Sequence, residues 1–192
     1  LLWGDAVPAA QLSQLQQPAR CAYLLKQAQS VAAATHGLDA AWQTYRAGLG
    51  AENPFFREKL FSEHIGLMLA SMTSLGKRMP TAAHVQAAQF AEWRSGSSKA
   101  QFMAQLGGVK HAMQGVTQYL HANGAAKLAK AVQLDLTRAE KTCQSLPDNL
   151  LKSPAQARSA CSQAISQLKK RVEGDVAETL DLTLGFTEGD GD

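Results

Sequence analysis

The spacing of the apolar residues limits most strongly what this chain can fold into. Phe102, Leu106, Val109, Met113, Val116 and Leu120 follow one another at intervals of three and four. Leu128, Val132, Leu136, Ala139, Cys143 and Leu146 repeat the pattern, as do Cys161, Ile165, Leu168, Val172, Val176 and Leu180. An earlier run of Leu24, Ala28, Val31, Leu38, Trp42, Tyr45 and Leu49 keeps helical spacing, with Thr35 as its polar member. At 3.6 residues per turn such spacing lays one apolar stripe along a helix, stable only when another helix covers it. The segment from Phe55 to Lys77 is apolar enough for a further buried helix. No run alternates with period two for long enough to make a strand. The expected fold is all-α, an up-and-down bundle of four to five helices with short connections.

Turn and capping residues set the expected boundaries. Pro18 suits a first helical turn, and Gly48 and Gly50 close that helix. Asn53-Pro54 opens the next, and Met79-Pro80-Thr81 breaks it. Thr81 is expected to cap a short helix reaching Trp93, and Ser98 to cap one beginning at Lys99. Asn123-Gly124 makes a tight C-terminal stop. Leu146-Pro147-Asp148-Asn149 starts a loop that ends at Ser153-Pro154, with Ser153 a further capping candidate. The domain reading is a bundle over 18–183, preceded by an apolar-then-polar segment 1–17 and followed by a glycine-rich acidic tail, 184–192.

Composition narrows the function classes. With 45% hydrophobic and 18% charged residues over 192 positions, the chain is not wholly disordered. A net charge of +3 is too mild to indicate nucleic acid. The densest basic run, Lys169-Lys170-Arg171, is flanked by Glu173 and Asp175 and reads as a solvated helix face. No stretch approaches the roughly 18 apolar residues of a membrane span.

Cys143 and Cys161 lie about equally far from the loop between the last two long helices, both on the apolar stripe. An antiparallel hairpin places them opposite each other, at disulfide range if their Cβ vectors converge, which would imply an oxidising compartment. Two buried free thiols are the competing reading. Cys21 is left over, a small apolar residue at a helix start.

Catalytic and metal-ligand signatures do not emerge from the residues. None of the five histidines stands in a His-x-x-x-His or His-Glu-x-x-His arrangement. His36 and Asp39 have a spacing common by chance, Glu63 and His64 point in different directions, and His84, His111 and His121 are isolated. There is no phosphate-binding glycine loop, nucleophile elbow or Cys-x-x-Cys pair. Two polar segments remain. Glu92-Trp93-Arg94-Ser95-Gly96-Ser97-Ser98 gathers a carboxylate, a guanidinium and hydroxyls at a helix junction, either a polar ligand site (Glu92, Arg94, Ser95, Ser98) or a capped turn with an ion pair. Glu188, Asp190 and Asp192 offer alternating carboxylates on a glycine backbone, suited to a hard cation or to a solvated tail.

These segments resemble one family. Leu184-Gly185-Phe186-Thr187-Glu188-Gly189-Asp190-Gly191-Asp192 is similar to the Leu-Gly-Phe-Asn-x-x-Asp-Gly-Asp ending of imelysin-like proteins, with Thr187 where Asn is usual. Glu92–Ser98 resembles the family's Glu/Ser/Arg-rich segment, and Arg20-Cys21-Ala22-Tyr23-Leu24 with Trp42 resembles its Arg-x-Cys-x-Tyr-Leu helix and later tryptophan. The resemblance implies an all-helical fold of two bundle-like halves, of which this chain resembles the second. It also implies a bacterial envelope location, periplasmic or anchored at the outer membrane. The family's signature Gly-x-His-x-x-Glu, which carries its metal-site His and Glu, does not occur between Leu1 and Asp192. Leu1-Leu2-Trp3-Gly4 resembles the segment that follows that glutamate in relatives, so 1–17 is expected to be a linker remnant of a preceding half.

Two functions follow from the resemblance. One is a binding or scaffold component of metal or iron uptake. Its Glu92–Ser98 segment, with Asp190 and Asp192, would complete a site shared with the N-terminal half and take a divalent metal or iron; envelope iron-transport components would be its partners. The other is part of a metallopeptidase whose Gly-x-His-x-x-Glu lies upstream of residue 1. This chain taken alone supplies no catalytic set and no metal ligands of its own, which favours the first.

Overall fold

A computed structural model of the chain describes residues 17–48, 54–90 and 92–184. Among them every regular element is helical. The chain divides into two compact units, Leu1–Glu58 and Lys59–Asp192.

The first unit contains α1, Pro18–Gly48. Pro18 is its first helical residue, where the missing N–H costs nothing, and the Cys21 amide bonds back to the Gln17 carbonyl at 3.0 Å. Most of the stripe expected to be buried is not; Leu24 is half-buried, and Leu49 lies outside the described residues. Val31, Leu38 and Trp42 stand 65%, 59% and 58% exposed, and Cys21 is an exposed free thiol instead of a packed one. Among the described residues this unit holds α1 and the opening of α2, with no second complete helix to cover the stripe. Trp42 and Tyr45 instead pack edge to face on the same helix, ring centres 5.6 Å apart.

The second unit is a helical bundle. Into it run α2 (Pro54–Lys77), α3 (Ser98–Ala122), α4 (Ala126–Gln144) and α5 (Ala155–Arg171). α5 continues through a π turn, Val172–Val176, into a last helical turn, Ala177–Thr179. All six members of the Phe102–Leu120 run are buried, as are Val132, Leu136, Ala139, Cys143 and Leu146 of the next and Cys161 to Val176 of the last. Ile65, Met68, Leu69, Met72 and Leu75 supply α2's share of the same core. Removing side chains of this size from water stabilises a fold by about 1.5–3 kcal/mol each, which is what makes the stripes decisive.

Local chemistry places the joints. Between α3 and α4, Gly124 takes φ +79°, the Ala125 amide bonds to the Leu120 carbonyl at 2.8 Å and the Gly124 amide to that of His121 at 3.2 Å. These two bonds use carbonyls a helix end would leave open, and only glycine adopts that φ without strain. α4 and α5 are joined covalently by a disulfide between Cys143 and Cys161, Cα atoms 4.8 Å apart. α2 is tied in by Phe61 packed against Tyr119, ring centres 5.0 Å apart and planes tilted by 45°, and by the Ser62 hydroxyl donating to the Thr183 carbonyl at 2.8 Å.

Three expected caps and one expected helix are absent. Ser153 does not cap α5; its hydroxyl is buried without a hydrogen-bond partner, and Pro154 precedes the helix. α3 begins at Ser98 itself, one residue before the expected Lys99. From Thr81 to Trp93 there is no α-helix capped by Thr81, only irregular chain and a 3-10 turn, Ala87–Gln89. The cause lies far away in sequence. Arg158, 1% exposed, donates to the carbonyls of Pro80 (2.8 Å), Ala82 (2.6 Å) and Ser153. The Ala82 carbonyl is thereby taken from the helical ladder, and the Gln86 amide that would have met it bonds to Gln89 Oε1 at 2.7 Å.

Candidate functional site

The strand of irregular chain held by Arg158 leads into the polar segment singled out by sequence. Glu92 has φ 56°, a left-handed conformation that costs an L residue about 1 kcal/mol. Trp93–Ser95 forms one 3-10 turn and Gly96, at φ +70°, closes it. The Ser95 hydroxyl donates to the Glu92 carbonyl at 2.9 Å and lies 2.7 Å from the Ser97 hydroxyl. Its hydrogen-bonding capacity is thus turned inward, onto the turn itself.

Opposite this turn is the loop between α4 and α5. Lys99, 14% exposed at its side chain, donates its ammonium to the Leu146 carbonyl and to Asp148 Oδ1 at 3.3 Å, fixing the loop to the start of α3. Asn149 Oδ1 accepts from the Leu151 amide at 3.1 Å and shapes the 3-10 turn Leu150–Lys152. Between turn and loop lies an open cleft of about 230 Å³. Phe90, Trp93, Leu150 and Leu151 give it apolar walls; Ser98, Asp148 and Asn149 give it polar ones.

Of the residues proposed from sequence, Ser98 lines this cleft and Ser95 braces the turn beside it. Glu92 is exposed at the edge of the same turn. Arg94 sits within the turn, its side chain outside the described residues, as are Asp190 and Asp192. Asp148 and Asn149, which open the expected loop, also line the cleft, and a Pro-Asp-Asn run is a place where side chains turn back on the backbone. Arg158 carried a legible signal too, since it stands three residues before Cys161 on an otherwise apolar stripe.

Chemically the cleft is a small amphiphilic notch. A hard cation takes six or more oxygens, several of them carboxylate. The notch offers Asp148, already facing the Lys99 ammonium, with neutral groups beside it. No cluster of three or more His, Cys, Asp or Glu able to hold a metal exists among the described residues. The described residues therefore do not fit a metal site, and no step through a metal is drawn from them.

The imelysin family model, peptidase M75, matches residues 1–173. The chain belongs to the imelysin family. The match includes α1 to α5 and both walls of the cleft, and it stops before the ending 184–192 that resembles the family's own. No curated protein and no solved structure matches the chain. An all-helical bundle is consistent with an imelysin-like fold. No described helix is long and apolar enough to cross a membrane.

Proposed function

We propose that this chain is the C-terminal bundle of an imelysin-type bacterial envelope protein, periplasmic or anchored at the outer membrane, that serves metal uptake, chiefly of iron, as a binding or scaffold component. The observation that supports it is the imelysin match over a sequence that contains no Gly-x-His-x-x-Glu. In this reading the metal-site His and Glu come from an N-terminal half of the same protein. Glu92, Arg94, Ser95 and Ser98, with Asp190 and Asp192, would complete the site shared with that half. The segment 1–17 links the two halves, and envelope iron-transport components are the partners.

A metal titration tests this. Calorimetry of the 192-residue chain with ferric or zinc ions is expected to show weak binding that Asp190→Asn with Asp192→Asn abolishes. Restoring a segment that carries Gly-x-His-x-x-Glu is expected to tighten binding by orders of magnitude. Tight binding by the chain alone that survives the double variant overturns the shared-site reading.

The family's own description as a peptidase supports a second reading, that the bundle is part of a metallopeptidase in which a bound metal activates water. Insulin cleavage separates the two. The scaffold reading expects the 192-residue chain to leave insulin intact with zinc present; chelator-sensitive cleavage decides for the peptidase.

A further inference from the structure

α4 presents two opposite faces of unlike chemistry. Val132, Leu136, Ala139 and Cys143 are buried on one side. On the other, at spacings of three and four, stand Lys127, Lys130, Leu134, Arg138 and Lys141, all exposed. From Lys127 to Lys141 this stripe runs about 21 Å along the helix at 1.5 Å per residue. The Arg138 guanidinium donates to Gln167 Oε1 at 3.1 Å, which brings α5 alongside, and Lys170 follows Gln167 at the next position on that helix face.

Among the described residues no carboxylate answers these cations. The acidic residues of α4 are Asp135, buried against Arg171, and Glu140, held by Lys110 at 2.7 Å. α3 and α5 contain neither Asp nor Glu. Glu173 and Asp175, which follow α5, are paired with Lys169 and Arg171. Lys127, Lys130, Lys141 and Lys170 make no ion pair among the described residues, and the partner of Arg138 is a neutral amide.

We propose that this face of α4, with Lys170, docks on the surface of an anionic phospholipid bilayer. The shape and chemistry of the patch select that occupant. As the outward face of a single helix it curves away from a small anion instead of cradling it, and among the described residues no side chain pairs with its ammonium groups, which ride on flexible stems. A protein partner would have to match them with carboxylates at fixed positions. Laterally mobile phosphate headgroups gather wherever the cations are. Leu134, 62% exposed at the middle of the stripe, is the side chain that enters the acyl boundary, while lysine stems lie along it with their heads at the phosphates. The attraction acts within a Debye length and is therefore weakened by salt. It requires no metal and stands apart from the proposed function.

Vesicle flotation of the 192-residue chain tests the assignment. At about 0.1 M salt, the chain is expected to float with phosphatidylglycerol-containing vesicles, to remain behind with pure phosphatidylcholine, and to be released at high salt. Lys130→Glu with Lys141→Glu is expected to weaken partitioning by about tenfold or more. Lys26→Glu with Lys77→Glu makes the same change in net charge elsewhere and is expected to leave most of the binding; circular dichroism checks that both variants keep their helix. Failure to float with anionic vesicles overturns the proposal. So does an equal loss in the two double variants, since net charge and not this face would then be responsible. Retention on polyglutamate without vesicle binding also overturns it and assigns the face to an acidic protein.

Discussion

Arg158 Nε donates to the carbonyl of Pro80 across 2.8 Å, joining residues 78 apart in the chain. With its bonds to Ala82 and Ser153, the same guanidinium holds the chain leaving α2, the end of the α4–α5 loop and α5 in one place. Both walls of the cleft are continuations of the chain it grips. A planar fork of fixed donors can meet three carbonyls together, which a single ammonium on a flexible stem does less well.

Arg158→Met is accordingly expected to destabilise the bundle by about 3 kcal/mol, because the buried Ser153 carbonyl and the part-buried carbonyls of Pro80 and Ala82 lose their donor together. Arg158→Lys is expected to recover less than half. Urea unfolding measures both. Hydrogen exchange should show residues 80–97 loosening before the helices do, and unchanged exchange there would contradict the clamp.

The Cys143–Cys161 bridge closes a loop of 18 residues. The chain-entropy relation gives about 3 kcal/mol for a loop of that size. Cys143→Ala with Cys161→Ala is expected to lower unfolding free energy by about that amount, and reductant is expected to lower the Tm of the native chain while leaving the double variant unaffected. Non-reducing peptide mapping that recovers both as free thiols refutes the bridge.

Arg171 touches two carboxylates of unequal weight. Its pKa is raised above the ordinary arginine value, first by the hydrogen bond that its Nε donates to Asp135 Oδ2, against the opposing effect of burial. Like any arginine it keeps its charge in a folded protein. Asp135 is buried and Asp175 exposed. Asp135→Asn is expected to cost about 2 kcal/mol, as a buried charge-assisted bond is lost. Asp175→Asn, an exposed pair one helical turn away, is expected to cost less than about 0.5 kcal/mol. Equal losses in thermal unfolding would show that burial does not set the difference.

Glu92 combines a candidate ligand role with a left-handed backbone. Glu92→Gly is expected to raise stability by about 0.5 kcal/mol, the relief of strain exceeding the extra freedom glycine gives the unfolded chain. Glu92→Gln keeps the strain and is expected to be neutral. If the carboxylate serves a metal, both variants weaken binding in the titration described above, so stability and binding separate. A destabilised Glu92→Gly reveals a structural task for the side chain.

The helices of the second unit, and the faces they bury, are written in local spacing: Phe102 to Leu120 went inside without exception because a period of 3.6 leaves them no other shared face. The stop at Asn123-Gly124 is equally local, since it rests on one glycine's backbone freedom. Three matters were settled only by the assembled molecule. Leu38 and Trp42 follow the same rule of spacing and yet stand exposed, because spacing names the face to be covered and not what covers it. The stretch after Pro80 lost its expected helix to Arg158, a competitor for carbonyls that no local pattern reveals. The cleft arises where the 87–98 turn meets the 148–151 loop, about 50 residues away, so its composition follows from packing and not from any motif within either segment.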